Sequence, residues 1–287
     1  MTDPGPPMRR KQLGRQLREL RETASLRMED AAAALDCSRS RISHIETGRY
    51  AVRKPDLEVL LRLYGALDRL DVLEELRREG TKRGWWSTYR LPDWLTGYVG
   101  LEADATLVRG FELELVPGLL QTEAYARAVH IAGHHMTPIG EVERRVAARM
   151  QRQARLSAAQ PLMLSVVVSE AALQRTLAMA KDVATGQLDH LVASAELPNV
   201  TMQILPFSIG VHRSMSGSFT LLSFAPGVSP DVAYQEYAVG GHLVDDQDVV
   251  GLLSSLHDEL RDQALGARES LTLISEFAQR AKGASSA

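Results

Sequence analysis

Between Ser38 and Gly48 the chain reads Ser-Arg-Ser-Arg-Ile-Ser-His-Ile-Glu-Thr-Gly. On a helical period Ile42 and Ile45 fall on one side, while Arg39, Ser40, Ser43, His44 and Thr47 fall on the other. Every side chain on that outer face can form hydrogen bonds, and none is aliphatic. A guanidinium donates two hydrogen bonds to O6 and N7 of guanine, worth about 1–3 kcal/mol of discrimination against a wrong base, and Ser and His donate to acceptor edges or phosphates. The face therefore carries the chemistry needed to read base pairs in double-stranded DNA. Ser38 stands as the N-cap, its hydroxyl able to accept from a backbone N–H two or three residues on, and Gly48 as the stop. Taken singly, Arg39 and Arg41 would be a solvated face and His44 an ordinary surface histidine. It is the capped helix, the two inward isoleucines, Glu46 and Gly48 together that form a specific pattern.

Several elements must hold that helix in place. Leu13, Leu17 and Leu20 mark one face of a first helix whose other face carries Arg15, Arg18 and Arg21. Glu29 to Leu35 reads as a short second helix with Ala31, Ala32 and Leu35 inward, and alanine there lets a third helix cross closely. Asp36 and Cys37 form the turn, since Asp tolerates a left-handed backbone at modest cost. Leu57, Leu60, Leu61, Tyr64 and Leu67 mark a fourth helix begun by Pro55-Asp56, and Asp71 to Arg78 a fifth. The basic run Arg9-Arg10-Lys11 is either a flexible arm on the phosphates or a solvated terminus.

The stretch Leu26 to Tyr64, with Ala32, Leu35, Ser38, Ile42, Ser43, Ile45, Glu46, Gly48 and Leu57-Glu58-Val59-Leu60, resembles the Xre-type helix-turn-helix family, which includes phage repressors. The resemblance implies a compact all-α, five-helix, lambda-repressor-like domain. It puts Arg39, Ser40 and His44 at base edges and Ser38, Arg41, Ser43 and Thr47 nearer the DNA backbone. Arg49, Arg53 and Lys54, in the loop after the third helix, are phosphate contacts by charge and placement. Arg27 and Met28 stand where the family often has Ser-Gln. Met28 cannot make the phosphate hydrogen bond of that Gln, whereas Arg27 can substitute as a point-charge contact.

At 287 residues and 45% hydrophobic content the chain exceeds the usual single-domain size. The break Gly80-Thr81-Lys82-Arg83-Gly84 divides it into a DNA-binding domain, 1–83, and a second domain, 84–287. The formal charge of −3 is uneven: 1–83 holds 18 Lys and Arg against 14 Asp and Glu, net +4, and the remainder is net −7. A basic module joined to an acidic body fits phosphate contact by the first part only. No run approaches the roughly 18 apolar residues of a membrane span, and the opening MTDPGPPMRRKQ lacks the apolar core of a secretory signal, which points to a cytoplasmic, nucleoid-associated protein. The single cysteine, Cys37, fits a reducing compartment and argues against a zinc finger.

In the second domain Trp85, Trp86, Tyr89 and Trp94 crowd together, either to dock the two domains or to offer a partner surface. Helical patterns run over 105–113, 122–132 and 139–156, with Thr122 a cap. Arg144, Arg145, Arg149, Arg152 and Arg155 then read as a solvated, ion-paired face. Strands are expected at 162–168, 200–205, 218–224 and 232–237, and further helices at 170–179, 186–195, 247–265 and 269–281. These elements predict an α+β domain around a small mixed or antiparallel sheet.

The segments Val116 to Ala126 (beginning Val-Pro-Gly-Leu-Leu-Gln-Thr), Arg149 to Gln153, Ser169 to Leu173, Asn199 to Phe207 and Gly217-Ser218-Phe219 are similar to the C-terminal domain of unknown function attached to Xre-type heads in actinobacterial, WhiJ-like regulators. That similarity implies a homodimeric transcription factor of development or antibiotic production, often accompanied by a small partner protein. An antitoxin-like interaction module that autoregulates and binds a small partner is the alternative. Two heads would favour an operator of two half-sites about one helical turn apart. Seven of the eight histidines lie outside the recognition helix, among them His134-His135, His212 and His242, the last close to Asp245-Asp246-Asp248. None forms a known metal spacing, and no hydrolase elbow or phosphate loop appears, so no catalytic residue, metal or cofactor is expected. Gly210-Val211-His212 and the Phe219 strand either border a ligand pocket, with Pro117-Gly118 as a lid hinge, or are ordinary core and turn residues.

Overall fold

A computed structural model describes residues 5–133 and 138–283. The chain divides into two compact units. The first runs to Ser87 and adds Thr96–Asp104 and Phe224–Pro230; the second holds Thr88–Leu95, Ala105–Ser223 and the residues from Asp231 on.

The N-terminal region is helical, with α1 Pro6–Thr23, α2 Met28–Ala34, α3 Arg39–Glu46, α4 Lys54–Leu63 and α5 Leu70–Thr81, followed by α6 Asp93–Glu102. Leu13, Leu17, Ala31, Ile42, Ile45, Leu57, Leu60 and Leu73 are buried in one cluster, the apolar positions that the helical periods select. Residues 9–11 do not form an arm or a solvated terminus. They lie within α1, where Pro at the start costs no hydrogen bond, Met8 is buried, and Arg10 Nη1 donates to the Gly80 carbonyl at 2.9 Å. Burial lowers the Arg10 pKa from its ordinary value.

Arg21, read as part of the polar face of the first helix, is instead turned inward and 6% exposed. Its Nε and Nη2 donate to the two carboxylate oxygens of Glu46, at 2.6 and 2.9 Å, and Nη1 donates to the Leu26 carbonyl at 2.8 Å. The Glu46 hydrogen bond holds the Arg21 pKa above its usual value against the opposing effect of burial. Gly14 is what allows α1 to approach this closely: a Cβ there would meet the Ile45 and Glu46 carbonyl oxygens at 2.4 and 2.5 Å. Trp86 is buried inside the first unit, against Gly84 and Gly100, with Trp85 edge-on to it.

The second unit is built on a mixed six-stranded sheet: β1 Leu107–Glu112, β2 Met163–Ser169, β3 Val200–Leu205, β4 Phe219–Ser223, β5 Val232–Tyr237 and β6 Gly240–Val244, in the order β3-β2-β1-β4-β5-β6. The pairs β1/β2 and β2/β3 are parallel, and β1/β4, β4/β5 and β5/β6 are antiparallel. The helices are α7 Glu123–Gly133, α8 Ile139–Gln153, α9 Glu170–Leu177, α10 Lys181–Ala195, α11 Gln247–Gln263 and α12 Ala267–Gly283. Residues 105–113 are thus a strand, not a helix. So short an apolar run is ambiguous by period, and pairing on both sides, Val108 with Leu164 and with Leu222, decides it. The β6 strand was not anticipated, because Gly240-Gly241 reads as turn.

The arginine-rich α8 is only in part the solvated face expected of it. Arg145 pairs with Glu141, but Arg149 donates to the Gln121 side chain, Arg152 is 8% exposed beside Gly118, and Arg155, just past the helix, donates to the Ala105 carbonyl at 2.9 Å. Gln153 donates to the Gly118 and Gln121 carbonyls at 3.2 and 2.6 Å, and Gln187 both donates to Leu120 O and accepts from Thr122 N, each at 2.7 Å. The Gly118 carbonyl is thus tied to α8 through Gln153. At the end of β1, the Glu112 carboxyl is enclosed beside Ser218, Glu236 and Arg149. Burial, reinforced by the Glu236 charge, raises its pKa to about 7 against the opposing effects of the Ser218 hydrogen bond and Arg149.

Two stability effects follow. Glu46→Ala leaves the Arg21 guanidinium buried without its partner and should lower unfolding stability by about 3–5 kcal/mol, read from urea unfolding of the full chain. Glu112, with its folded pKa raised from 4.5 to about 7, favours the fold when neutral, and that contribution is lost as pH rises through 7. Glu112→Gln should therefore leave stability nearly unchanged at pH 4.5 and raise it at pH 8, by up to about 3 kcal/mol, when urea midpoints of parent and variant are compared at the two pH values.

Candidate nucleic-acid interface

The turn between α2 and α3 forms as the residue types require. Asp36 takes a left-handed backbone with φ 46°, and the Cys37 N–H donates to the Ala32 carbonyl at 2.9 Å. Ser38 then caps α3, its hydroxyl oxygen accepting from the Arg41 N–H at 3.2 Å. At the far end the Thr47 hydroxyl donates back to the Ser43 carbonyl at 2.8 Å, and Gly48, with φ 73°, lets the chain leave the helix. Ile42 and Ile45 are buried, which rotates Arg39, Ser40, Ser43 and His44 outward.

That outer surface is not uniformly open. Arg39 and Ser40 are exposed, while Arg41, Ser43, His44 and Thr47 are half-buried. The His44 ring meets Tyr50 edge-on, with centroids 4.7 Å apart, and the Tyr50 N–H donates to the His44 carbonyl at 3.0 Å. Arg27, Arg49, Arg53 and Lys54 are exposed around the helix. Arg27 occupies the N-cap position of α2, with its own N–H donating to Asp30 Oδ2 at 2.7 Å.

Arg39, Arg41 and Arg53 have carboxylate partners, as does Arg27 through Asp30 at 4.0 Å. Arg39 Nε lies 3.0 Å from Glu29 Oε1. Arg53 donates from Nε and Nη2 to the two Asp56 oxygens, both at 3.1 Å, and Arg41 Nη2 reaches Asp56 Oδ2 at 3.4 Å. The Asp56 hydrogen bond holds the Arg53 pKa above its ordinary value. Sequence reasoning saw Pro55-Asp56 only as the start of α4 and overlooked Glu29 and Tyr50 as neighbours of the reading face. The signal for Asp56 was present in the i, i+3 spacing of Arg53 and Asp56 across the first turn. The link from Arg41 needed the fold.

The histidines of the second unit go separate ways. His212 packs edge-on against Phe111 at 5.3 Å, and His242 lies against Tyr237. His257 is buried with Nε2 at 3.3 Å from the Ser165 carbonyl, and burial lowers its pKa. His134-His135 lie outside the described residues. Among the described residues no group of three or more His, Cys, Asp or Glu is placed to hold a metal, and no helix is long and apolar enough to cross a membrane.

Residues 12–76 match a family profile described as a helix-turn-helix domain, and residues 95–276 match one described as a domain of unknown function, DUF5753. No curated protein and no solved structure matches the chain. The first match falls on α1 to α5 and the capped α3 within them, which makes the N-terminal part a DNA-binding module of the kind found in regulators. The second covers more than half of the chain, and on that ground the protein belongs to the DUF5753 family, carried here behind a helix-turn-helix domain.

Proposed function

We propose that the protein is a sequence-specific transcriptional regulator, a non-enzymatic member of the Xre group resembling the actinobacterial WhiJ-like regulators, which reads DNA with Arg39, Ser40 and His44. The observation that carries this reading is the capped α3 helix, with its two isoleucines buried and its hydrogen-bonding side chains turned out. Arg27, Ser38, Arg41, Ser43, Thr47, Arg49, Arg53 and Lys54 border that surface as backbone contacts, which position the protein without reading sequence. In this reading residues 1–83 are the DNA-binding domain and residues 84–287 the regulatory one.

The regulator acts as a homodimer on an operator with two half-sites about one helical turn apart. Its second domain dimerises and receives a ligand or a small partner protein, and serves development or antibiotic production. The second unit exposes Phe207, Val211, Met215 and Val239, large apolar side chains of the kind a partner would cover. An input acts by binding two states of the dimer unequally, so that head spacing or head availability changes with it.

Selection of duplexes from random DNA by the full-length protein tests the reading. The parent should enrich a defined sequence, and the Arg39→Ala/His44→Ala variant should bind with a flattened preference. Arg53→Ala should weaken binding to every sequence and reduce the slope of log K against log salt by about 1. Selection of the same sequence by the Arg39/His44 variant would remove those two residues as readers.

A further inference from the structure

Resting on the DNA-reading proposal, we infer that Asp56 is a positioning residue for the DNA face: it aims Arg41 and Arg53 together and holds down the share of affinity that comes from phosphate charge alone. Asp56 sits in the first turn of α4, and its side chain is 12% exposed. The two guanidiniums that converge on it come from different elements, Arg41 from α3 and Arg53 from the loop that enters α4. Their side chains are 42% and 73% exposed, so the carboxylate lies inside and the cations reach out past it.

The geometry leaves each arginine something to give. Arg53 spends its Nε–H and one Nη2 proton on Asp56 and keeps the Nη1 protons; Arg41 offers only Nη2. A forked donor fixed at its base presents its remaining protons in one direction, where a free arginine would sample many rotamers. The carboxylate also removes one unit of positive charge from a surface whose attraction to any phosphate is independent of sequence. The Glu29–Arg39 pair does not have this character. Both of its side chains are more than half exposed, and a solvated pair of that kind constrains little.

Asp56 has a competing role as a carboxylate that merely steadies the α4 N-terminus. The two roles separate in a titration of full-length protein against the duplex that the parent selects and against a scrambled duplex of the same composition, across a salt series. With Asp56→Asn, binding to the scrambled duplex should tighten about three- to tenfold at low salt, with the salt slope steeper by about 1. The ratio of selected to scrambled affinity should fall at least threefold. In an Arg41→Ala/Arg53→Ala background the same substitution should leave that ratio unchanged, since Asp56 then has no arginine to aim. Asp56→Ser keeps a short polar side chain in the first turn of α4 without the charge, and it carries the same expectation if the Asn variant is poorly folded. A lower melting temperature with slope and ratio unchanged in both variants would overturn the inference and leave the DNA reading intact. Failure of the parent itself to select any sequence would overturn both.

Discussion

The first unit depends on one buried ion pair. Arg21 comes from the last turns of α1 and Glu46 is the last residue of α3, and they meet through two hydrogen bonds with both side chains under 10% exposed. Removing two charges from water costs several kcal/mol per ion unless geometry and further hydrogen bonds restore it, and Arg21 meets that condition with a third bond to the Leu26 carbonyl. The pair therefore tolerates only one rotation of α3 about its axis. With Glu46 directed at α1, Ile42 and Ile45 must face the core, and the intervening polar residues must face away from it. The bare Cα of Gly14 supplies the close approach that the pair demands.

That constraint explains which parts of the fold could be read in advance. The α3 cap, the Asp36 turn and the Gly48 exit are local, each set by one residue's hydrogen-bonding or backbone preference, and they lie where those preferences place them. Arg21 was misread because periodicity alone puts an arginine on the polar face; a buried carboxylate 25 positions away reverses that, and no window of one helix contains it. The same applies to Arg10, whose partner is the Gly80 carbonyl, 70 residues on. The exposed arginines around α3 stood out by charge and placement, but the Asp56 carboxylate that holds Arg41 together with Arg53 became visible only when α3 and α4 were set side by side.

The second unit shows a similar limit in another form. β2, β3, β4 and β5 declared themselves through β-branched or alternating runs, while β1, which joins the parallel and antiparallel halves of the sheet, passed for a helix because Arg109 and Gly110 interrupt its apolar pattern. The two segments with the most distinctive wording, Val116 to Ala126 and Arg149 to Gln153, prove to be partners: the α8 side chains Arg149 and Gln153 grip the backbone and side chain of the Gly118 to Gln121 turn. Their specific sequence is accounted for by that mutual hydrogen bonding, since a turn with buried carbonyls requires donors of fixed length at fixed spacing.

Charge in the two units obeys the same logic of enclosure and pairing. A DNA-facing module with a net charge of +4 still contains 14 carboxylates, and the total says little until each is located. Glu46 is spent on holding α3 in rotation, Asp56 on two guanidiniums at its edge, and Glu29 on a solvated pair of small effect. The basic character of the outer face of α3 is thus the remainder after internal pairing. A surface of free lysines with the same net charge would attract phosphates equally well and would fix neither register nor orientation, which is why arginines anchored by carboxylates suit the proposed role of α3 as a base-reading helix.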